Sequence, residues 1–166
     1  MTPDIQPWRE ALAQEYACAG SLLSLIEAQQ TLVISRQFDA LAQNYIAQEK
    51  AITALFQAER RRVETQRQLA QACNAQATGR RKDIYPHLDR SSCEQIEALV
   101  IQLQNTMAAN QRKFQQNQLL LSRSIELAQQ VLQRSGAMAT GRTYGSRGKE
   151  KAFALTNTLS RWEAVV

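Results

Sequence analysis

The stretch that decides the fold is IEALVIQLQNTMAANQRKFQQNQLLLSRSIELAQQV, residues 96–131. Its inward positions recur in alternating steps of four and three residues, the heptad spacing that places side chains on one face of a long helix. These positions are Ile96, Val100, Leu103, Met107, Asn110, Phe114, Asn117, Leu121, Ser124, Ala128 and Val131. The pattern predicts a helix over residues 92–135, roughly 65 Å long at about 1.5 Å per residue.

Polar residues interrupt this heptad face. Asn110, Asn117 and Ser124 stand where apolar residues usually pack, which disfavours collapse into one tight oligomer. In one interpretation, these side chains bond one another or water inside an ordinary bundle. In the other, this seam and the apolar residues beside it accept an amphipathic helix of a partner protein. The residues beside the seam are Leu120, Leu121, Ile125 and Val131.

Two further helices precede this one. Apolar residues at steps of mostly three or four predict helices over residues 8–35 and 38–73, and the short link between them predicts an antiparallel hairpin. With six Gly and three Pro in 166 residues, the chain favours an all-α fold. We therefore expect an elongated antiparallel three-helix bundle over residues 1–135. Its predicted core is Leu12, Leu23, Ile26, Leu41, Ile52, Leu55, Ile96, Leu103 and Met107.

The segments outside these helices have different compositions. Residues 74–90 break the periodicity at Gly79 and Pro86, and the following SSCE predicts a capping box formed by Ser91 and Glu94. The run ERRR, residues 59–62, predicts a solvated helix face. Residues 136–166 are rich in Gly and positive charge at first, which predicts a flexible basic tail. The end of that tail has the loose spacing of a short amphipathic helix.

The sequence contains no arrangement typical of an enzyme or a metal site. His87 is the single histidine, and the three cysteines form no CxxC pair, so we predict neither catalysis, nor a cofactor, nor a metal. The N-terminus lacks the pattern of a secretory signal, and we expect no segment apolar enough to span a membrane. These features predict a cytoplasmic protein. Its net charge of +5 is weak support for nucleic-acid binding, and we expect none.

Three stretches resemble the FlgN family of flagellar type III export chaperones. FDALAQNYIAQEKAITAL, residues 38–55, is similar to the start of that family's second helix, and residues 103–132 resemble its polar-punctuated helix. TYGSRGK, residues 143–149, is similar to the Tyr-Gly motif often found just after that helix. The basic insertion at residues 79–90 and the apolar end after Phe153 have no counterpart in the family pattern.

The resemblance implies a cytoplasmic chaperone that binds hook–filament junction (hook-associated) proteins through their helical ends. It further implies delivery of these clients to the cytoplasmic domain of the export gate. Tyr144 in the Tyr-Gly motif is either the contact with the gate or an unbound residue of the tail. The predicted partner-binding residues are Asn110, Phe114, Asn117, Leu120, Leu121, Ser124, Ile125, Val131 and Tyr144. The alternatives are a structural coiled-coil or adaptor protein and, less favoured, a nucleic-acid-binding helical protein.

Overall fold

The computed structural model describes residues 3–75 and 80–134. These residues form α1 (Gln6–Ile34), α2 (Phe38–Ala72), the short α3 (Arg81–Ile84), a 3-10 turn (Tyr85–His87) and α4 (Arg90–Arg134). No strand occurs in either described range. The all-α prediction is confirmed, and each long helix begins and ends within two residues of its predicted position.

The chain divides into two compact units, Met1–Leu120 and Leu121–Val166. The first unit holds α1, α2, α3 and most of α4. The described part of the second unit is the end of α4, residues 121–134. The predicted tail, residues 136–166, lies outside the described residues.

A tight turn joins α1 to α2. Arg36 adopts a left-handed backbone conformation with φ 56°, and the backbone N–H of Ser35 donates to the carbonyl of Thr31 at 2.9 Å. This geometry reverses the chain, because the left-handed residue ends α1 while its last carbonyls still find donors. The expected antiparallel hairpin follows. Asn44 on α2 bonds Leu25 of α1 close to the turn, whereas contacts farther along α2 reach earlier residues of α1.

Helix α4 runs parallel to α1. The side chain of Arg9 bonds Gln95 at 2.8 Å, and the amide of Asn110 bonds the Ala19 carbonyl at 2.9 Å. Residue numbers on both helices rise together along these contacts. In the unit Met1–Leu120, α1 therefore lies between an antiparallel neighbour and a parallel one, which is the arrangement of an up-down-up bundle.

The buried apolar residues follow strict heptad positions. On α1 they include Leu12, Ala19, Leu22 and Ile26, in steps of three, four or seven. Five predicted core residues are buried, namely Leu12, Ile26, Leu55, Ile96 and Leu103. The other four, Leu23, Leu41, Ile52 and Met107, are only half-buried.

The two differences on α2 have one physical cause. The inward positions at the start of α2 belong to Asn44 and Gln48, so the apolar Leu41 and Ile52 lie beside them at the edge of the core. Selecting core residues by hydrophobicity misses such positions. Leu22 likewise takes the inward place expected for its neighbour Leu23.

The connection between α2 and α4 is more ordered than its sequence predicts. Ile84 of α3 is fully buried, and the Tyr85 hydroxyl donates to the Glu97 carboxylate at 2.6 Å. Burial and this bond to a carboxylate raise the pKa of Tyr85 to about 12. The short helix was missed because one buried isoleucine among charged residues produces no periodicity.

Asp89, and not Ser91, caps α4. The Asp89 carboxylate accepts the backbone N–H of Ser92 at 3.0 Å and also the Ser92 hydroxyl. These bonds lower the pKa of Asp89. The predicted capping box at Ser91 and Glu94 is therefore wrong by position: Glu94 accepts a hydrogen bond from Arg90 on the helix surface. A carboxylate one residue before the helix satisfies the same free N–H groups.

Helix α1 is long and apolar enough to cross a membrane, with a mean hydropathy of 1.3 over its best 18-residue window. The prediction that no segment reaches this level is therefore wrong for α1. In the bundle, however, Trp8, Leu12 and Ile26 are buried. The apolar character of α1 thus supplies the core.

One ion pair enters that core. Glu15 of α1 is fully buried and accepts a hydrogen bond from the guanidinium of Arg62, whose side chain is 16% exposed. Burial raises the pKa of Glu15, and the charge and hydrogen bond of Arg62 oppose that rise. The folded state therefore binds the Glu15 proton more tightly than the unfolded chain does. The stability that this proton contributes is fully present below a pH of about 4.5 and is lost as the pH rises through the folded pKa. Arg62 thus departs from the solvated face predicted for residues 59–62.

We expect Arg62→Leu to destabilise the bundle by about 3 kcal/mol at pH 7, because it leaves a buried carboxylate unpaired. The loss should shrink towards pH 5, where the unpaired Glu15 is protonated more easily. Urea unfolding at the two pH values measures both effects. Arg61→Leu, one residue away and exposed, is the matched control and should change stability by less than about 0.5 kcal/mol. Equal losses for the two variants would contradict the assigned pair.

Candidate partner-binding surface

One part of the bundle core is built from side-chain amides. Five amide side chains are buried there: Gln29, Asn44, Gln48, Asn110 and Asn117. Asn44 donates to the Leu25 carbonyl at 3.0 Å, and Gln48 donates to the Asn44 side-chain oxygen at 2.7 Å. Helix α2 therefore approaches α1 through amides in the half of the hairpin next to the turn.

Helix α4 approaches α1 in the same way. The side-chain nitrogen of Asn110 donates to the Ala19 carbonyl at 2.9 Å. One heptad later, the nitrogen of Asn117 donates to the Ile26 carbonyl at 2.7 Å and to the side-chain oxygen of Gln29 at 2.9 Å. A carbonyl inside a helix keeps a second lone pair after its backbone bond, so both contacts leave the ladder of α1 intact.

These amides are only partly satisfied. The side-chain oxygens of Asn110 and Asn117 are buried and have no hydrogen-bond partner within the described residues. A buried acceptor without a partner costs free energy, so each asparagine offsets part of the gain from its own donor bond. The bonds therefore contribute more to the register of α4 on α1 than to net stability.

The predicted partner-binding residues divide into three groups. Asn110 and Asn117 are buried against α1, while Phe114, Leu120 and Leu121 are half-buried. Ser124, Ile125 and Val131 are exposed. Tyr144 lies outside the described residues. A role for the two asparagines in partner binding stays a prediction, and it would require their bonds to α1 to break.

The last part of α4 has an exposed apolar surface. Leu121, Ile125, Ala128 and Leu132 recur at i, i+4, i+7 and i+11, which places them on one side of the helix. We call these four residues the distal face. Ile125 is 57% exposed and Leu132 is 46% exposed.

Further apolar residues and a polar side complete this amphipathic end. Val131 borders the distal face and is 65% exposed, whereas Leu127 lies closer to the polar side of the helix and is 62% exposed. The opposite side carries Arg123, Glu126 and several glutamines. The sequence analysis missed Leu127 and Leu132, because neither falls on the predicted heptad face, whose next position after Val131 is Ser135.

No group of three or more metal-ligating side chains exists within residues 3–75 and 80–134. The distal face likewise carries no titratable group. Its chemistry is that of an apolar helix surface, which binds by burying area against another apolar surface.

The FlgN protein family model matches residues 1–152. The chain belongs to the FlgN family. No curated protein and no solved structure matches it. FlgN proteins are cytoplasmic chaperones of flagellar biogenesis and are not known as enzymes. The match covers all of α4, including the distal face, and stops before the apolar end of the chain, residues 153–166.

The amide bonds of the FlgN bundle can be tested with two asparagines of the same helix. Asn117→Asp replaces the donor with an acceptor that faces the Ile26 carbonyl and the Gln29 oxygen, so we expect a loss of about 3 kcal/mol in unfolding free energy at pH 7. Asn105→Asp, at an exposed position of α4, should cost less than about 0.5 kcal/mol. Chemical denaturation of both variants measures the two losses in unfolding free energy. A small loss for Asn117→Asp would show that its amide is not bonded inside the bundle.

Proposed function

We propose that this FlgN-family protein binds hook–filament junction proteins in the cytoplasm and delivers them to the flagellar type III export gate. The observation that supports client binding best is the distal face, an apolar surface on the family-matched part of the chain. Soluble proteins rarely expose neighbouring large apolar residues unless a partner covers them.

The distal face suits a helical client. Its four residues extend over three turns, about 17 Å at ~1.5 Å per residue, and an amphipathic client helix presents apolar side chains at the same intervals. Val131 widens the contact on one side. Arg123 and Glu126, on the other side of α4, remain in solvent when the apolar side is covered.

The polar and apolar parts of α4 then have separate roles. Asn110 and Asn117 hold the first part of the helix on α1 at a fixed register. The distal face contacts the client. Phe114 and Leu120 belong to the half-buried part of α4 and are secondary contacts in this proposal.

A structural coiled-coil role is the competing function. An exposed heptad surface also suits a second copy of the chain, which would bury the distal face in a homodimer. The two functions differ in what the apolar residues bind. Substitutions in the distal face therefore separate them when client binding and self-association are measured together.

We expect Ile125→Asp with Val131→Asp to weaken binding of a purified hook-associated protein roughly a hundredfold, because two carboxylates would have to be buried at the contact. Isothermal titration calorimetry measures the affinity, and circular dichroism checks that the helices persist. The matched control, Gln130→Asp with Gln133→Asp, adds the same charge on the other side of α4 and should bind like the native protein.

Native client affinity in the Ile125→Asp, Val131→Asp variant would exclude the distal face as the client site. Loss of a dimer in analytical ultracentrifugation, without any client binding by the native chain, would favour the coiled-coil function instead.

Delivery to the gate rests on Tyr144, as the resemblance of residues 143–149 implies. A tyrosine suits such a contact because its ring buries a large area on binding and its hydroxyl still forms hydrogen bonds. We expect Tyr144→Ala to leave folding and client affinity unchanged while weakening binding to the cytoplasmic domain of the gate. Tyr144→Phe should retain most of that binding. Unchanged gate affinity of the client-loaded Tyr144→Ala protein would remove Tyr144 from the mechanism.

A further inference from the structure

The apolar end of the chain matches the distal face in spacing. Leu155, Leu159, Trp162 and Val166 recur at i, i+4, i+7 and i+11. The distal face has the same four-position spacing, with Leu121 at its start and Leu132 at its end. Two helices that each carry such a stripe can pack side by side and bury the two stripes against each other, since each stripe covers about three turns.

We propose that residues 152–166 dock on the distal face as an amphipathic helix and cover it until a client displaces them. The family match ends at residue 152, so this covering helix is a feature of this chain in addition to the family pattern.

The length of the connection permits the contact. Residues 135–151 separate the end of α4 from the proposed helix. A Gly-rich chain of that length spans about 23 Å on average, whereas the distal face is about 17 Å long. The segment can therefore return antiparallel to α4 without strain. A connection of this length also gives the segment a local concentration in the millimolar range, which favours it over a second copy of the chain.

The energetic reason is the exposed apolar area. Ile125, Leu127 and Val131 are each more than half exposed. A protein with such a surface associates nonspecifically unless the surface is covered while no client is bound. A covering segment of the same chain prevents this, and a client with a larger apolar stripe displaces it by competition.

Fluorine NMR of the full chain labelled with 5-fluorotryptophan tests the docking without any client. The chain has two tryptophans: Trp8 is 1% exposed and serves as the buried reference, and Trp162 lies in the covering segment. We expect the Trp162 signal to respond as weakly as that of Trp8 when H₂O is replaced by D₂O, because a docked indole is shielded from solvent. Ile125→Asp with Leu132→Asp should give Trp162 the full solvent response of an exposed indole.

Gln130→Asp with Gln133→Asp is the matched control and should leave the Trp162 signal unchanged. An unchanged Trp8 signal in every variant shows that the bundle is intact. A full solvent response of Trp162 in the native chain would overturn the proposal. So would a Trp162 signal that varies with protein concentration, because it would show that a second copy supplies the contact.

The regulatory part of the inference rests on the proposed function and is measured separately. Leu159→Asp with Trp162→Asp should tighten binding of a purified hook-associated protein about tenfold, if the segment covers the face in about nine of ten molecules. Asn157→Asp with Ser160→Asp adds the same charges elsewhere on the segment and should have no effect. A shielded Trp162 without client binding would reject the proposed function and keep the docking. An exposed Trp162 with normal client binding would reject the docking and keep the proposed function.

Discussion

The bonds from Asn110 and Asn117 to the backbone of α1 are the constraint on which the rest of this structure depends. An apolar heptad face can slide or exchange partners at little cost, because its contacts have no direction. A side-chain amide bonded to a particular carbonyl cannot, since a shift of one residue leaves the amide donor unpaired inside the core. Helix α4 is therefore held on α1 at one register.

The same principle extends to α2. Asn44 bonds α1 near the turn, and the buried Glu15–Arg62 pair bonds it farther away. Both contacts contribute little net stability, because desolvation of the polar groups offsets much of the gain. Loss of one partner from either contact destabilises the fold, because it leaves a buried polar group unpaired. The apolar residues around them, such as Trp8 and Leu12, supply the driving force for folding, while the polar contacts select one arrangement of the three helices.

The sequence predicts the elements of this fold better than their contacts. The heptad spacing of α4 is periodic enough to locate its ends, and the link before Phe38 is short enough to require a hairpin. The inward positions of Asn44 and Gln48 could not be predicted, because amides on α2 have no preference for the core until a carbonyl of α1 lies opposite. Arg62 could not be separated from Arg61 in the run ERRR for the same reason, as only Glu15 on another helix distinguishes them.

The exposed part of the candidate site was easier to predict than the buried part. Ile125 and Val131 were expected at a surface, and they are exposed. Asn110 and Asn117 were placed in the same seam because helical spacing alone gives no sign of where a neighbouring helix stops covering a heptad face. The place where α4 changes from buried to exposed positions depends on where α1 ends, at Ile34, and the sequence of α4 by itself does not contain that information.

Hydrogen exchange of the side-chain amides, followed by NMR, tests the central claim most directly. The account predicts that the amide protons of Asn110 and Asn117 exchange with solvent far more slowly than those of the exposed Asn105 on the same helix, since two of the three are bonded inside the bundle. It also predicts that this protection persists when a client saturates the protein. Equal exchange rates for all three asparagines, or loss of protection at Asn110 and Asn117 on client binding, would contradict it.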